Sequence, residues 1–251
     1  MNVNQIKAGL QQLKRSFRRI LEDGAEDVID WAIAELDNSK KRFDEWTRRT
    51  DDPRLIPQPW GYRIDPEWPL QFKMSTIKGL DLWVDIYCTV LWTEGVMPVE
   101  QVVHLRVWSD DEGLIWRPDW DSEDIFDKLA DQVGPRPRRV IFRCHFDRAN
   151  PGQPGPKYHL QFGGNAQEQE LYWFPEAVNL PRLIYPPMDL ILVCQLIAAN
   201  FYWEEYTEFR ETPEWIGTLR RSQGHLLKDY YKDCLSVLEQ DRVLLDHLWN
   251  V

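Results

Sequence analysis

Two of the five histidines in this chain fall on segments whose residues alternate between apolar and polar side chains, as the two faces of a strand do. These segments are residues 139–147 and 157–163, and most of their apolar positions are aromatic. Their polar positions are Arg143, His145, Asp147, Lys157, His159 and Gln161. Since histidine acts as a general acid, a general base, a phosphate partner and a metal ligand, these strands are the first place to look for a site.

The spacing of the two strands predicts how their polar residues meet. If Asp147 pairs with Lys157, the same antiparallel register places His145 opposite His159, on the face that turns away from the aromatic core. A neighbouring strand adds His104 to this face. We therefore expect the rings of His145 and His159 to lie within contact or water-bridging distance of each other.

One function that this face suggests is that of a hydrolase acting on a phosphodiester or nucleotide. Its catalytic residues would be His145, His159 and Arg143 with His104 nearby, and its binding residues Asp147, Lys157 and Gln161. The alternative is purely structural, because an antiparallel sheet usually has one solvent-exposed face that must be built from polar residues. The sequence leaves open whether the protein is an enzyme.

Short motifs add two resemblances. The H-x-D and H-x-Q sequences resemble the paired H-x-S/T motifs of two-histidine phosphoesterases in their histidines, but Asp147 and Gln161 replace the hydroxyl residues, and we do not assign the chain to that family. Arg220 and His225 have the R-x4-H spacing of HEPN-type ribonucleases, which are all-helical. That resemblance covers six residues and implies a weaker alternative, a ribonuclease site shared across a homodimer.

The thirteen tryptophans suggest a different class of function. Large amphipathic rings are favoured at protein interfaces as well as in cores. Trp116 and Trp120 lie in an acidic stretch, residues 109–132, where they are hard to bury, and we interpret them as binding residues for a protein partner. The first hypothesis for the function is therefore an interaction or regulatory protein that acts through a partner-binding surface.

Charge and cysteine use limit the other classes. With a net charge of −11, the protein could bind nucleic acid only through a local basic patch. The chain has no apolar run long enough to span a bilayer. The four cysteines are far apart and no histidine stands at zinc-site spacing, so we predict no metal and no cofactor. Reduced cysteines and the lack of a secretory signal favour a cytoplasmic protein.

The helices and strands that position these residues are predicted from the spacing of apolar residues, which changes from one segment of the chain to the next. Residues 1–50 predict a helical hairpin whose first stripe is Ile6, Leu10, Leu13, Phe17 and Ile20, and this seam would pack on its own chain or form a homodimer. Residues 51–69 are rich in proline and predict a connector. Residues 70–251 then form an α+β domain, with a single domain overall as the alternative.

Within that domain the apolar residues first recur every two residues, as in strands, and later every 3.6 residues, as in helices. The predicted strands are 70–77, 81–92, 99–108, 114–117, 139–147 and 157–163, with a short helix at 122–132. Apolar helices follow from residue 188 and from Pro213. The fold class is therefore α+β: an antiparallel meander sheet of about five strands, packed by C-terminal helices, with an N-terminal helical hairpin.

Overall fold

The computed structural model describes residues 2–49, 58–93, 97–109, 139–149, 155–163 and 182–250. The helices are α1 (Val3–Phe17), α2 (Ala25–Arg49), α3 (Leu190–Phe201), α4 (Trp203–Phe209), α5 (Pro213–Glu239) and α6 (Leu244–Leu248). The strands are β1 (Trp60–Ile64), β2 (Leu70–Ile77), β3 (Leu80–Trp92), β4 (Glu100–Ser109), β5 (Arg139–Arg148), β6 (Gly155–Pro156), β7 (Tyr158–Phe162), β8 (Leu183–Ile184) and β9 (Trp249–Asn250). The strand 114–117 and the helix 122–132 predicted above lie outside the described residues.

One antiparallel sheet of seven strands organises the molecule, in the order β1-β3-β4-β5-β7-β8, with β2 pairing the other half of β3. The predicted α+β class and the antiparallel sheet are confirmed. Two of its strands were not predicted. β1 lies inside the segment interpreted as a connector, and the two-residue β8 is too short to show a period.

The N-terminal hairpin packs on the core face of the sheet. Its predicted stripe is buried, and the ring of Phe17 lies 5.1 Å from that of Trp215 in α5 and 6.3 Å from that of Phe72 in β2. In α2, Ser39 Oγ donates to Gly61 O at 2.7 Å and accepts from Gly61 N at 3.0 Å. The apolar stripe of the hairpin therefore packs in the core of its own chain, which is the first of the two alternatives given above.

The core face of the sheet is apolar from β1 to β7, and α3 lies in the same cluster of buried residues. Cys88 and Cys144 are buried on this face, as the alternation predicted, and none of the four cysteines forms a disulfide. The helix α3 begins at the N-cap residue Asp189, whose Oδ1 accepts from Leu192 N at 2.9 Å and whose Oδ2 accepts from the hydroxyl of Ser222.

The N-cap of α3 gives a pH-dependent prediction. Burial raises the pKa of Asp189, so the folded state favours its protonated form. The stability that this contributes is present at low pH and is lost as pH rises through the folded pKa. Because Asn caps as well as Asp, Asp189→Asn should gain stability relative to the wild type between acid and neutral pH, whereas Asp189→Ala should lose about 0.5–2 kcal/mol. Urea unfolding at several pH values measures both, and a parallel pH profile for wild type and Asp189→Asn would contradict the assignment.

Candidate functional site

The sheet face opposite the core carries polar residues that pair directly across the strands. From β3 outward the rows are Asp85–Arg106–Arg143, Tyr87–His104–His145–Gln161 and Thr89–Val102–Asp147–His159. This face contains the predicted residues His104, Arg143, His145, His159 and Gln161 together with Asp147. The alternation of the sequence therefore assigned these side chains to the correct face.

The predicted register of β5 against β7 is wrong by two residues. Asp147 pairs with His159 and His145 pairs with Gln161, whereas the sequence analysis paired Asp147 with Lys157. A shift of two keeps every side chain on its face, which is why the alternation could not detect it. Lys157 lies outside β7, and its backbone N–H donates to Leu248 O.

The reason for the shift lies in the chain before β7. Pro156 has no N–H to donate to a ladder, and Gly155 and Pro156 pair with β9 instead of β5. Ala149 N donates to Lys157 O just beyond the end of β5. Each residue of β5 therefore pairs with a residue of β7 that lies two positions further along the chain than the predicted register gave.

The face is buried, which contradicts the expected solvent-exposed surface. The exposed fractions are 1% for Arg143, 9% for His145 and 1% for His159. The carbonyl oxygen of Pro66 accepts from Arg106 at 3.4 Å, and that of Pro156 lies 3.2 Å from His159 Nδ1, so these two prolines lie against the face. Buried polar side chains need partners, so their arrangement is constrained.

One end of the face is an ion pair supported by aromatic rings. Arg106 donates to both carboxylate oxygens of Asp85, at 2.7 and 3.1 Å, and Trp108 Nε1 donates to the same carboxylate at 2.8 Å. The guanidinium lies 4.8 Å from the ring centroid of Tyr87 and 5.0 Å from that of Trp108. This end of the face is therefore rigid and electrostatically compensated.

From this end a series of rings runs across the sheet. Tyr87 stacks on His104 with centroids 4.2 Å apart and an interplanar angle of 9°, and His104 lies 5.3 Å from His145. The centroids of His145 and His159 are 6.1 Å apart. The expected proximity of these last two rings is thus confirmed, although they meet diagonally instead of in one row.

The polar groups converge at His145, Asp147 and His159. One nitrogen or oxygen atom of each lies within 4.8 Å of the others. His159 Nε2 is 3.7 Å from Asp147 Oδ2, too far for a hydrogen bond, and it has no hydrogen-bond partner among the described residues. The same is true of the buried His145 Nδ1. Two buried nitrogen atoms at one place therefore lack a partner.

Burial and nearby cations set the protonation of the cluster. Burial, with His159 and Arg143 nearby, lowers the pKa of His145 to about 4, and burial with His145 nearby lowers the pKa of His104 to about 3. Burial followed by Arg182 lowers the pKa of His159. Burial raises the pKa of Asp147 to about 6. At pH 7 the three imidazoles are therefore neutral and the Asp147 carboxyl is mostly ionised.

Access to the cluster is from the side of Asp147, whose side chain is 26% exposed. Arg182 stands at this opening, where its Nε donates to Gln161 Oε1 at 3.3 Å. Arg182 was not predicted as a site residue because it precedes a two-residue strand and no local pattern links it to the histidines. Only the pairing of β7 with β8 brings Arg182 to the site.

The other predicted residues do not join this site. Trp116 and Trp120 lie outside the described residues. Arg220 and His225 both lie on α5, where a separation of five residues turns them about 140° apart, so a single helix face does not carry both. Arg220 is exposed, whereas His225 is half-buried and lines a cavity between α1 and α5 with Gln5 and Arg221.

In comparisons with family models, curated proteins and solved structures, nothing matched this chain, so its function has to be inferred from its own residues. Among the helices in the described part of the chain, none combines the length and the apolar character needed to cross a membrane. The buried cluster of histidines, Asp147 and arginines is the feature of the described residues that offers chemistry.

Proposed function

We propose that the protein is a hydrolase that acts on a phosphodiester or nucleotide at the cluster of His145, Asp147 and His159. The observation that carries this proposal is the convergence of two neutral imidazoles and a carboxylate beside the charges of Arg143 and Arg182. Structural polar faces do not need unpartnered buried nitrogen atoms, whereas active sites accept this cost for the sake of chemistry.

The charges suit an anionic substrate. In phosphodiester hydrolysis, a water oxygen bonds to phosphorus, the bond to the leaving oxygen breaks, and one proton moves from the water to that oxygen through solvent or the site. Negative charge accumulates on the phosphoryl oxygens, and guanidinium groups in a site of low dielectric stabilise it. Arg182 lies at the opening, where it can contact the phosphate, and buried Arg143 adds positive potential from the floor.

The histidine variants should separate catalysis from stability. We expect His145→Ala and His159→Ala to lower kcat/KM by about 10²–10⁴-fold on whichever member of a panel of nucleotides, cyclic nucleotides and RNA is hydrolysed. Because both rings are buried, we also expect a loss of about 1–3 kcal/mol in the free energy of unfolding. His159→Gln keeps most of the volume and should lose activity with a smaller change in stability.

The control for these variants is His247→Ala. His247 lies on α6, where its Nε2 is 2.6 Å from Asp233 Oδ2, and it is not one of the three residues that form the cluster. Its replacement should leave kcat/KM within about twofold, since a residue contributes directly to catalysis only where it lies at the reacting group. Purified wild-type protein that hydrolyses no member of the panel would argue against the hydrolase.

The second candidate function is an interaction or regulatory protein that acts through a protein partner. The specific observation in its favour is a set of exposed apolar side chains at the C-terminal end: Tyr231, Leu235 and Leu238 on one stripe of α5, with Val243, Leu245 and Trp249 beyond it. Such exposed patches are typical of interaction sites. Loss of binding to a purified partner in Leu235→Lys, together with no turnover by the wild type, would favour this function over the first.

A further inference from the structure

The geometry of the cluster points to a metal ion. We propose that His145, Asp147 and His159 bind one divalent first-row transition metal, with Zn²⁺ as the first choice, and leave at least one coordination position open. The inference rests on the proposed function and names the cofactor of that same site. Two imidazoles and a carboxylate with an open position form the ligand set of catalytic zinc sites and of non-haem iron sites.

The sheet presents the three ligands together. His145 and Asp147 are two residues apart on β5 and therefore project from the same face, and Asp147 lies directly opposite His159 on β7. Their ligand atoms lie within 4.8 Å of one another. A metal with bonds of about 2.0–2.2 Å needs its ligands about 3.5 Å apart, so shifts of about 1 Å close the site.

The hydrogen bond on the far side of His159 supports the same conclusion. His159 Nδ1 lies 3.2 Å from Pro156 O, and since a carbonyl only accepts, the proton stands on Nδ1. Nε2 then carries a lone pair and lies 3.7 Å from Asp147 Oδ2, but no donor among the described residues forms a hydrogen bond to it. Metal-ligating histidines are commonly held in this way by a backbone carbonyl.

His145 provides the second unpartnered nitrogen. His145 is nine-tenths buried, and its Nδ1 has no hydrogen-bond partner among the described residues. A metal at the centre of the cluster would give His159 Nε2 the partner that it lacks and would take one nitrogen of His145 as a further ligand. The packing of the described residues leaves His145 Nδ1 and His159 Nε2 without a partner, although an unpartnered buried polar atom is destabilising.

The close spacing favours coordination over an acid–base pair. In an in-line displacement at phosphorus, the attacking and leaving oxygens lie on opposite sides of the phosphoryl group, so an acid and a base that serve them must also stand on opposite sides. Donor atoms that gather within 4.8 Å cannot span such a group. They could instead hold a metal, which when bound would lower the pKa of a water ligand and so supply the hydrolytic nucleophile at neutral pH.

The net charge of the site agrees with a metal that carries an anion. A dication opposite one carboxylate, Asp147, leaves an excess of positive charge, to which Arg143 and Arg182 add. A hydroxide or a phosphate on the open position would balance that charge. The arginines therefore weaken the binding of a bare cation and favour the metal together with its anionic substrate.

Metal uptake by the full chain tests the inference without any assay of turnover. After dialysis against a chelator, we expect the wild type to take up one equivalent of Zn²⁺ in competition with a chromophoric chelator, and to give the absorption bands of tetrahedral or five-coordinate Co²⁺. Asp147→Asn is isosteric and the side chain is only partly buried, so this variant should fold and bind at least tenfold more weakly, and His159→Ala should lose the Co²⁺ bands. Asp233→Asn, which changes a His–Asp pair on the surface, should bind like the wild type.

The outcomes separate this inference from the function on which it rests. No uptake by the wild type, or equal uptake by wild type and Asp147→Asn, would overturn the metal site. Turnover that persists after the metal has been removed would overturn the metal site and leave the hydrolase. Metal uptake that depends on Asp147 and His159, without turnover of any phosphodiester, would keep the site and overturn the hydrolase.

Discussion

A chain that lacks residues 1–50 is expected to aggregate instead of folding as a soluble monomer. The hairpin places large side chains in the central core, among them Leu10, Leu13 and Phe17 from α1 and Ile29 and Leu36 from α2. Burying each such side chain contributes about 1.5–3 kcal/mol. Together these five side chains contribute about 7.5–15 kcal/mol, which is as large as the 5–15 kcal/mol by which a typical domain is stable.

The deletion would also uncover the apolar face of the sheet. Phe72 in β2, Tyr62 in β1 and Trp215 in α5 are buried in the same cluster as the hairpin residues. An exposed face of this kind is an aggregation hazard. Light scattering and circular dichroism of the truncated chain measure the result, and a folded, monodisperse monomer would show that the hairpin is an accessory element after all.

A point substitution makes the same test within the full chain. Phe17→Ala removes a fully buried ring that lies 5.1 Å from those of Phe209 and Trp215, and it should lower the free energy of unfolding by about 3–5 kcal/mol. The matched control is Trp31→Ala on α2, whose side chain is 58% exposed and whose loss should cost less than about 0.5 kcal/mol. Comparable losses from the two variants would contradict the packing described here.

The second large effect is expected from the buried ion pair. Asp85→Ala should lower the free energy of unfolding by about 3–5 kcal/mol, because it removes the carboxylate that neutralises Arg106 and accepts from Trp108 Nε1. Both members of the pair are 4% exposed, so solvent cannot replace the lost partner. Urea unfolding followed by tryptophan fluorescence measures the change.

Two comparisons isolate the cause of that loss. Asp44→Ala removes a carboxylate from an exposed pair with Lys40 on α2, and it should cost less than about 1 kcal/mol. The double variant Asp85→Leu/Arg106→Met removes both charges of this pair, so it should be more stable than Asp85→Ala, which leaves Arg106 without its carboxylate. If Asp85→Ala costs no more than Asp44→Ala, the pair does not organise the polar face.

The proposed metal site depends on pairing that no local sequence pattern contains. No metal was predicted from the sequence because the spacing of histidines and cysteines along the chain does not match that of known zinc sites. His145 and Asp147 do stand two residues apart, but the third ligand lies on another strand. An H-x-D sequence followed by a histidine on the next predicted strand is the sequence pattern that could have suggested a metal site.

The sequence by itself determined the longer strands and helices and the face that each of their side chains takes, although it did not predict β1 and β8. The alternation in β5 and β7 placed His145, Asp147 and His159 opposite the aromatic core, and the 3.6-residue period of α1 selected the stripe that is buried. Both results follow from local backbone geometry, since side chains alternate on a strand and recur every turn on a helix.

Only the tertiary structure decided which residues pair across the sheet and which side chains are exposed to solvent. Alternation is unchanged by a shift of two residues, so the pairing of Asp147 with His159 came from the loop before β7 and from the pairing of Gly155 and Pro156 with β9. Burial of the polar face and the arrival of Arg182 depend on segments distant in sequence, whose positions the period of a strand does not encode. The elements and their faces are thus local properties, whereas the register, the burial and the composition of the site are properties of the assembled sheet.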